Sequence, residues 1–334
     1  MGSLAPDTAA ALASLKATCA ERGLLDRPQG LQEGDAVDGL TDDSTLLRFL
    51  QARKMDPTGA LEQFESASRF RAEKNIVPIY DSISIDDYED TRRLYPHWTG
   101  RRDRHGLPIL FLDIAHLDHA AMKHWRSTRS VKAAPEMSQR ACAYFDSLTR
   151  FVLPLCTAAA DRSGGAIASP VTKSIYLVDI AKISLKQAWD LRDFAREISW
   201  ILATCYPETI ESIYVCNAPS YFATIWGFMK KFVDPVTAAK LVILTESQVY
   251  PTLETTIDRE NIPVQLGGAL TAEHGMLPDL DQDLRASLSR SSSGTNVVLP
   301  SGPLKWTENE QGQRVLVATG CTAAGPRQES VAVL

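Results

Sequence analysis

Polar residues set into apolar stretches are where this 334-residue chain offers chemistry. Glu197 stands among Phe194, Ile198, Ile201, Leu202 and Cys205, which recur at helical spacing along one stripe. A carboxylate desolvated there is costly unless it is paired. Lys240 is a candidate partner, because it opens the apolar run Leu241-Val242-Ile243-Leu244. Just upstream, Asp234-Pro235-Val236-Thr237 reads as a short helical turn, with Asp234 capping it. Thr237 then lies near the turn's N-terminus, where backbone amides favour an anion. Arg53 and Lys54 close an apolar helix and add positive charge. Two readings fit these residues: a structural ion pair beside a basic helix end, or a small phosphate pocket ringed by hydroxyls.

Standard catalytic apparatus is missing, so the chain is expected not to be an enzyme and to need no cofactor. The run "LFLDIA" is followed by "HLDHAA", without the glycine-rich turn of a dinucleotide site. There is no GxxxxGK[ST] phosphate loop. Ser220 sits in Ala-Pro-Ser-Tyr-Phe, which is not a nucleophile elbow. His116, His119 and His124, near Asp113 and Asp118, suit no single helix face, and a solvated loop without metal is the expectation.

The elements that must position these groups can be read from pattern. Residues 8 to 75 are helical, and Asp56-Pro57 restarts a helix to about Lys74, with aspartate as cap and proline first. From about residue 95, β-rich runs at 108–115, 173–181, 212–219, 240–244 and 263–266 alternate with helical patterns near 132–155, 185–205, 221–232 and 247–257. Such alternation predicts an α/β fold with a mainly parallel sheet. Beyond Gly267-Gly268, "SLSRSSSGTN" reads as a flexible linker and "PLKWTENEQGQRVLVATG" as a hairpin, with a poorly ordered tail from Cys321. Three segments are therefore expected: 1–90, 91–275 and 276–334.

Net charge is −6, which gives no general attraction for nucleic acid. The start MGSLAPDTAA lacks the basic flank and apolar run of a secretory signal. No apolar run approaches the roughly 18 residues of a membrane span. Six cysteines without CxxC spacing, four of them in apolar runs, read as reduced thiols of a cytoplasmic protein. One segment is odd in such a chain. In "SYFATIWGFMKKFVDP", Tyr221, Phe222, Ile225, Trp226, Phe228, Met229, Phe232 and Val233 leave almost no polar face. Only Lys230 and Lys231 interrupt it, and Gly227 sits inside.

"LLRFLQARKMD", "YPHWTGRRDRHGLPILFLDI", "CYPETIESIYVCNAP", "FVDPVTAAKLVIL" and "ENIPVQLGG" together resemble the CRAL-TRIO lipid-binding family, most of all its yeast-type phosphatidylinositol transfer proteins. The likeness runs in the family's order over roughly residues 40 to 270. It implies an N-terminal helical tripod, then a CRAL-TRIO domain whose sheet floors an apolar lipid cavity closed by a mobile gate helix. "SYFATIWGFMKKF" matches that gate, with Gly227 as a point of flexibility and both lysines meeting anionic headgroups. The family's phosphoinositide-binding positions fall on Arg53, Lys54, Glu197, Thr237 and Lys240. Arg53, Thr237 and Lys240 would meet the phosphate and inositol ring, and Glu197 would accept from ring hydroxyls or orient the bases.

A second lipid is implied by the positions that surround choline in relatives alternating with phosphatidylcholine. There the family pattern of tyrosine, tyrosine, serine and threonine is replaced by Leu110, Phe151, Ser174 and Tyr176. Lost phenolic hydroxyls leave a buried phosphate unpaired. Weak or absent phosphatidylcholine binding is expected, with a sterol or different phospholipid instead. The resemblance implies transfer of phosphatidylinositol or its presentation to a phosphoinositide kinase, by a cytoplasmic protein transiently on Golgi or endosomal membranes. A lipid-regulated scaffold, or a carrier of a sterol or tocopherol-like lipophile, is the alternative.

Overall fold

The structure, a computed structural model, describes residues 5–128, 135–162, 170–289 and 297–334. Five helices come first: α1 (Pro6–Glu21), α2 (Asp43–Ala52), α3 (Pro57–Glu73), α4 (Ile76–Ser82) and α5 (Ile85–Arg92). The Asp56 carboxylate accepts from the amides of Thr58 and Gly59, so α3 starts as its Asp-Pro pair predicts. The apolar stripes of α1 to α3 meet at Leu15, Leu46, Phe49, Leu50 and Phe64.

A five-stranded sheet follows: β1 (His97–Arg102), β2 (Pro108–Asp113), β3 (Ser174–Asp179), β4 (Ile210–Cys216) and β5 (Leu241–Ile243), in that spatial order. Strands β2 to β5 run parallel, and β1 is antiparallel at one edge. Between them come α6 (His119–Thr128), α7 (Met137–Ser147), α8 (Leu153–Arg162), α9 (Leu185–Cys205), α10 (Phe222–Met229) and α11 (Pro235–Ala238). A single π-helical segment, Leu148–Val152, joins α7 to α8. Then α12 (Glu246–Leu253) and α13 (Gln282–Ser289) follow.

Helices cover both faces, which is why the parallel strands read as continuous apolar runs. One face, with Ile109, Phe111, Ile175 and Leu177, packs on Val249 and Leu253 of α12. The register carries one row over the other face: Trp98, Leu110, Tyr176, Ile213 and Leu241 stand side by side across all five strands. Trp98, Leu110 and Tyr176 of this row lie under the π-helical segment and α8, and Ile213 and Leu241 pack against the cluster of α7, α9 and α10.

Two expectations need correction, and one strand lay outside them. Residues 263–266 form no strand; Val264–Leu266 is a 3-10 turn with one bridge, Pro263 to Leu270. Pro263 has no N–H for a ladder, and Gly267, at φ 91°, turns the chain. Strand β1 was hidden by its own sequence, since Gly100, at φ 87°, accompanies a register shift and the strand ends in two arginines. The tail is ordered: β6 (Leu304–Glu308) and β7 (Arg314–Ala318) form the expected hairpin, the short pair β8 (Cys321–Thr322) and β9 (Gly325–Pro326) follows, and β10 (Glu329–Val333) pairs with β7. Trp306, Leu316, Ala318 and Ala332 join Leu110, Phe151 and Tyr176 in one apolar cluster, so the tail completes the core. The expected linker lies mainly in 290–296, outside the described residues, and 282–289 is helical.

The C-terminal sheet is also pinned by charge. Lys305 places its buried ammonium 2.7 Å from both Asp35 and Asp81. Arg314 pairs with Asp38, Tyr80 Oη donates to the Leu304 carbonyl at 2.5 Å, and Gly302 N–H donates to Glu89. Among the described residues no helix is long and apolar enough to cross a membrane.

Candidate functional site

Arg53, Thr237 and Lys240, though 187 positions apart at the extremes (240 − 53), line one pocket of about 160 Å³. Arg53 is the C-terminal cap of α2, where Lys54 and Met55 both take left-handed φ to turn the chain into α3. Lys54 is exposed beside the pocket and outside its lining. Thr237 comes from α11, whose first turn is tied to α9 by the Asp234 amide donating to Ser199 Oγ at 2.6 Å. Lys240 precedes β5 and is held in place by its strand.

The amides expected to attract an anion at α11 are already engaged. Asp234 Oδ1 accepts from Val236 N at 2.9 Å and Thr237 N at 3.2 Å. Any anion here must therefore be met by side chains. Lys240 Nζ donates to Glu208 Oε2 at 2.9 Å and to the Ile210 carbonyl at 2.7 Å. The carboxylate it meets is thus that of Glu208, where Glu197 was the expected partner. Glu208 holds a left-handed φ of 54°, uncommon for a residue with a side chain, in the turn between α9 and β4. Sequence gave no local sign of this contact, because the turn brings it across from another strand. Glu197 is half-buried on α9, outside the pocket lining. Its charge acts on Tyr95, whose phenol is pushed well up, first by burial and then by Glu197. Gln63, which sequence reasoning missed, also lines the pocket, its amide fixed by donating to the Ala203 carbonyl at 2.9 Å.

Behind this pocket lies the apolar interior. Leu202 of α9 lines the pocket and also packs against both apolar clusters of the floor face. The four second-lipid positions are all buried. Leu110 and Tyr176 are neighbours in the sheet row, and Phe151 meets Trp98 edge-on at 6.0 Å. Ser174 Oγ donates to the Thr209 carbonyl at 2.8 Å. Tyr176 Oη has no well-formed hydrogen bond among the described residues, and burial pushes its phenol up to about 12, with Ser174 acting the other way. Leu110 and Phe151 border a hollow of about 60 Å³ with Trp98 and Tyr144.

Helix α10 buries only Phe222 and Ile225. Trp226, Phe228, Met229 and Phe232 are partly covered, and Tyr221, Lys230 and Lys231 are exposed. Phe228 stacks on Trp189 of α9 at 5.1 Å and meets Phe232 at 5.1 Å. A methyl group placed on Gly227 would touch nothing within 4 Å, so packing does not demand glycine there. His116 stacks on His274 at 3.9 Å and His119 lies 3.5 Å from Asp190. Among the described residues no group of three side chains is placed to hold a metal.

Comparison with known proteins follows this geometry. Residues 93–268 match the model of the CRAL/TRIO domain, and residues 11–66 that of the CRAL/TRIO N-terminal domain. The chain is 30% identical to the SEC14 cytosolic factor of Candida glabrata, over 75% of this chain and 78% of that protein. It is 26% identical to the phosphatidylinositol/phosphatidylcholine transfer protein SFH9 of Arabidopsis thaliana, over 70% of this chain and 38% of that one. Among solved structures, that of Sfh5 superposes with a TM-score of 0.56 at 14% identity, covering 82% of this chain and 91% of its own.

Proposed function

The chain belongs to the CRAL/TRIO family, and from that premise we propose that it is a phosphatidylinositol transfer or presentation protein. The observation that carries this reading is the convergence of Arg53, Thr237 and Lys240 on one pocket whose wall, Leu202, continues into the apolar interior. A phospholipid needs both parts at once: cations and hydroxyls for its head, hydrocarbon for its tails. Two of the three Lys240 N–H donors are engaged by Glu208 and Ile210. The third, with Arg53 and the Thr237 hydroxyl, serves the phosphate and inositol ring. Lys54 adds charge at the rim, and Glu197 acts from α9.

Acyl burial, at about 0.8 kcal/mol per methylene, favours the protein over water by on the order of 20 kcal/mol for two chains. Against a bilayer that gain nearly cancels, so headgroup contacts select the lipid and exchange takes place on a membrane. Helix α10 is the gate in this reading, because Phe222 and Ile225 are its only fully buried side chains, with Trp226 and Met229 packing on the core while still partly wet. The helical 1–90, lipid-binding 91–275 and C-terminal 276–334 segments form its working parts. The relatives' names include phosphatidylcholine transfer, but Leu110 and Tyr176 give this chain a different second pocket, suited to another phospholipid or a sterol. Presentation to a phosphoinositide kinase on Golgi or endosomal membranes belongs to the same reading.

The test is lipid identification by mass spectrometry after incubation with mixed-lipid vesicles, wild type beside Lys240→Ala. Near-stoichiometric phosphatidylinositol in wild type, reduced about tenfold or more in the variant, is the expected result. Equal lipid content in both proteins would make the charged cluster structural.

A further inference from the structure

Helix α9 is apolar on two opposite sides. Its inner stripe, Ala188, Leu191, Phe194, Ile201 and Cys205, is buried. Its outer stripe runs Leu185, Trp189, Arg192, Arg196 and Trp200, at intervals of four, three, four and four. That spacing keeps all five on one face over about 22 Å. Leu185, Trp189 and Trp200 are 58%, 54% and 51% exposed, which places three of the larger apolar exposures of the described residues on a single helix, Trp200 also meeting Phe70 of α3 edge-on at 5.0 Å. Isolated exposed apolar residues need no explanation, but an aligned stripe does.

Charge around the stripe is more basic than acidic. Arg192 lies over the Trp189 ring at 4.5 Å, and Arg196 over Phe232 at 4.9 Å. Lys182, Lys186, Lys230 and Lys231 are exposed nearby. Against these six cations stand Asp190, Asp193, Glu197 and Asp234, a local excess of two positive charges (6 − 4) on a chain whose net charge is −6. Asp193 is shared between Arg192 and Arg196 at 3.6 and 3.7 Å, and Asp190 lies beside His119. Stacking of Trp189 on Phe228 makes the stripe continuous with α10.

We infer that the outer stripe of α9 is a docking surface for an anionic phospholipid bilayer, and that it anchors the protein while α10 moves. Indole rings settle at the boundary between headgroups and hydrocarbon, and arginine stems lie along apolar surface with their heads in the phosphate layer. Each basic residue adds attraction to an anionic surface. Helix α9 suits an anchor because its inner stripe is fixed in the core and its N-terminus is capped, Ser184 Oγ accepting from Gln187 N at 3.1 Å. This inference rests on the exchange reading above, and separates docking from gating.

The experiment is flotation with phosphatidylcholine vesicles, with and without phosphatidylserine, on wild type, Trp189→Ala/Trp200→Ala, Arg192→Gln/Arg196→Gln and Lys240→Ala. The tryptophan and arginine doubles are each expected to bind serine-containing vesicles about tenfold more weakly, while retaining phosphatidylinositol delivered from detergent. Lys240→Ala is expected to dock as wild type does and to carry little phosphatidylinositol. Quenching of wild-type tryptophan by acyl-brominated phosphatidylcholine, reduced in Trp189→Ala/Trp200→Ala, gives a readout of insertion that does not depend on affinity. Wild-type docking by both doubles, or docking as strong on vesicles without phosphatidylserine, would overturn the inference. Retention on a protein partner with no vesicle binding would overturn it too. Anionic docking by a wild-type protein that takes up no phosphatidylinositol would leave the surface standing and remove the transfer reading.

Discussion

At one end of the molecule Lys305 is sealed between Asp35 and Asp81; at the other, Trp189 and Trp200 stand half in water. The first joins the C-terminal sheet to α4 and to the loop between α1 and α2 through ion pairs, the second lays α10 against α9 through stacked rings. Buried charges held by several partners fix one geometry, since every alternative leaves a desolvated charge unpaired. Stacked, partly wet rings can slide and separate at small cost. The ion-paired region is therefore expected to be the more rigid of the two, and in the proposed transfer reading the ring-packed region is the side that opens.

Removing the lysine should break this contrast most severely. Lys305→Met leaves two carboxylates facing each other out of water, and a loss of about 3–5 kcal/mol is expected in urea unfolding. Substitution of Trp189 should cost within about 0.5 kcal/mol by the same measurement, as an exposed site does. Equal losses at both places would erase the distinction.

Acid should act next, and again at the rigid end. Burial, helped by the Arg92 charge, lowers His97 from 6.5 to about 4. The unfolded chain thus takes up this proton near pH 6.5 and the folded protein only near 4. Stability should fall as pH drops through that window, by up to about 3 kcal/mol at 1.36 kcal/mol per unit. Asp38 works in the opposite direction, since burial raises it to about 6 despite Arg314. Its contribution is present at low pH and lost as pH rises from 3.8 to 6. Comparing wild type with His97→Asn by thermal unfolding at pH 5 and pH 7 isolates the histidine, and the variant should show the flatter dependence.

The smallest effect is expected at α10. Gly227→Ala places its methyl in open space and replaces a poor helix former, so stability should rise by up to about 1 kcal/mol. If α10 must flex during exchange, vesicle-to-vesicle transfer of phosphatidylinositol should slow by a few-fold in the same variant. An unchanged transfer rate would mean that the helix moves as a rigid unit.

Much of this architecture was legible because local chemistry decided it. Asp56-Pro57 announces the start of α3, and runs such as "KSIYLVDIA" betray strands buried on both faces. The convergence of Arg53, Thr237 and Lys240 could be anticipated from resemblance, yet no pattern joins α2 to β5. Glu208 was illegible because its role depends on a left-handed turn that swings it towards a lysine 32 residues away. Strand β10 was illegible because only Ala332 of its five residues is deeply buried, so "ESVAV" gives little apolar signal until β7 is beside it. The outer stripe of α9 passed unnoticed because the inner stripe already accounts for the helix.

One wall thickness has a consequence for the route a lipid takes. The same helix, α9, meets the interior at Phe194 and Ile201 and solvent at Trp189 and Trp200. With its outer side seated in a bilayer, hydrocarbon would lie on both sides of a cylinder about 10–12 Å across. A departing acyl chain would then round a single helix without wetting. On the proposed reading, the passage would be a short step within one continuous oil phase, and its barrier would be set by parting α10 from α9 instead of by hydration.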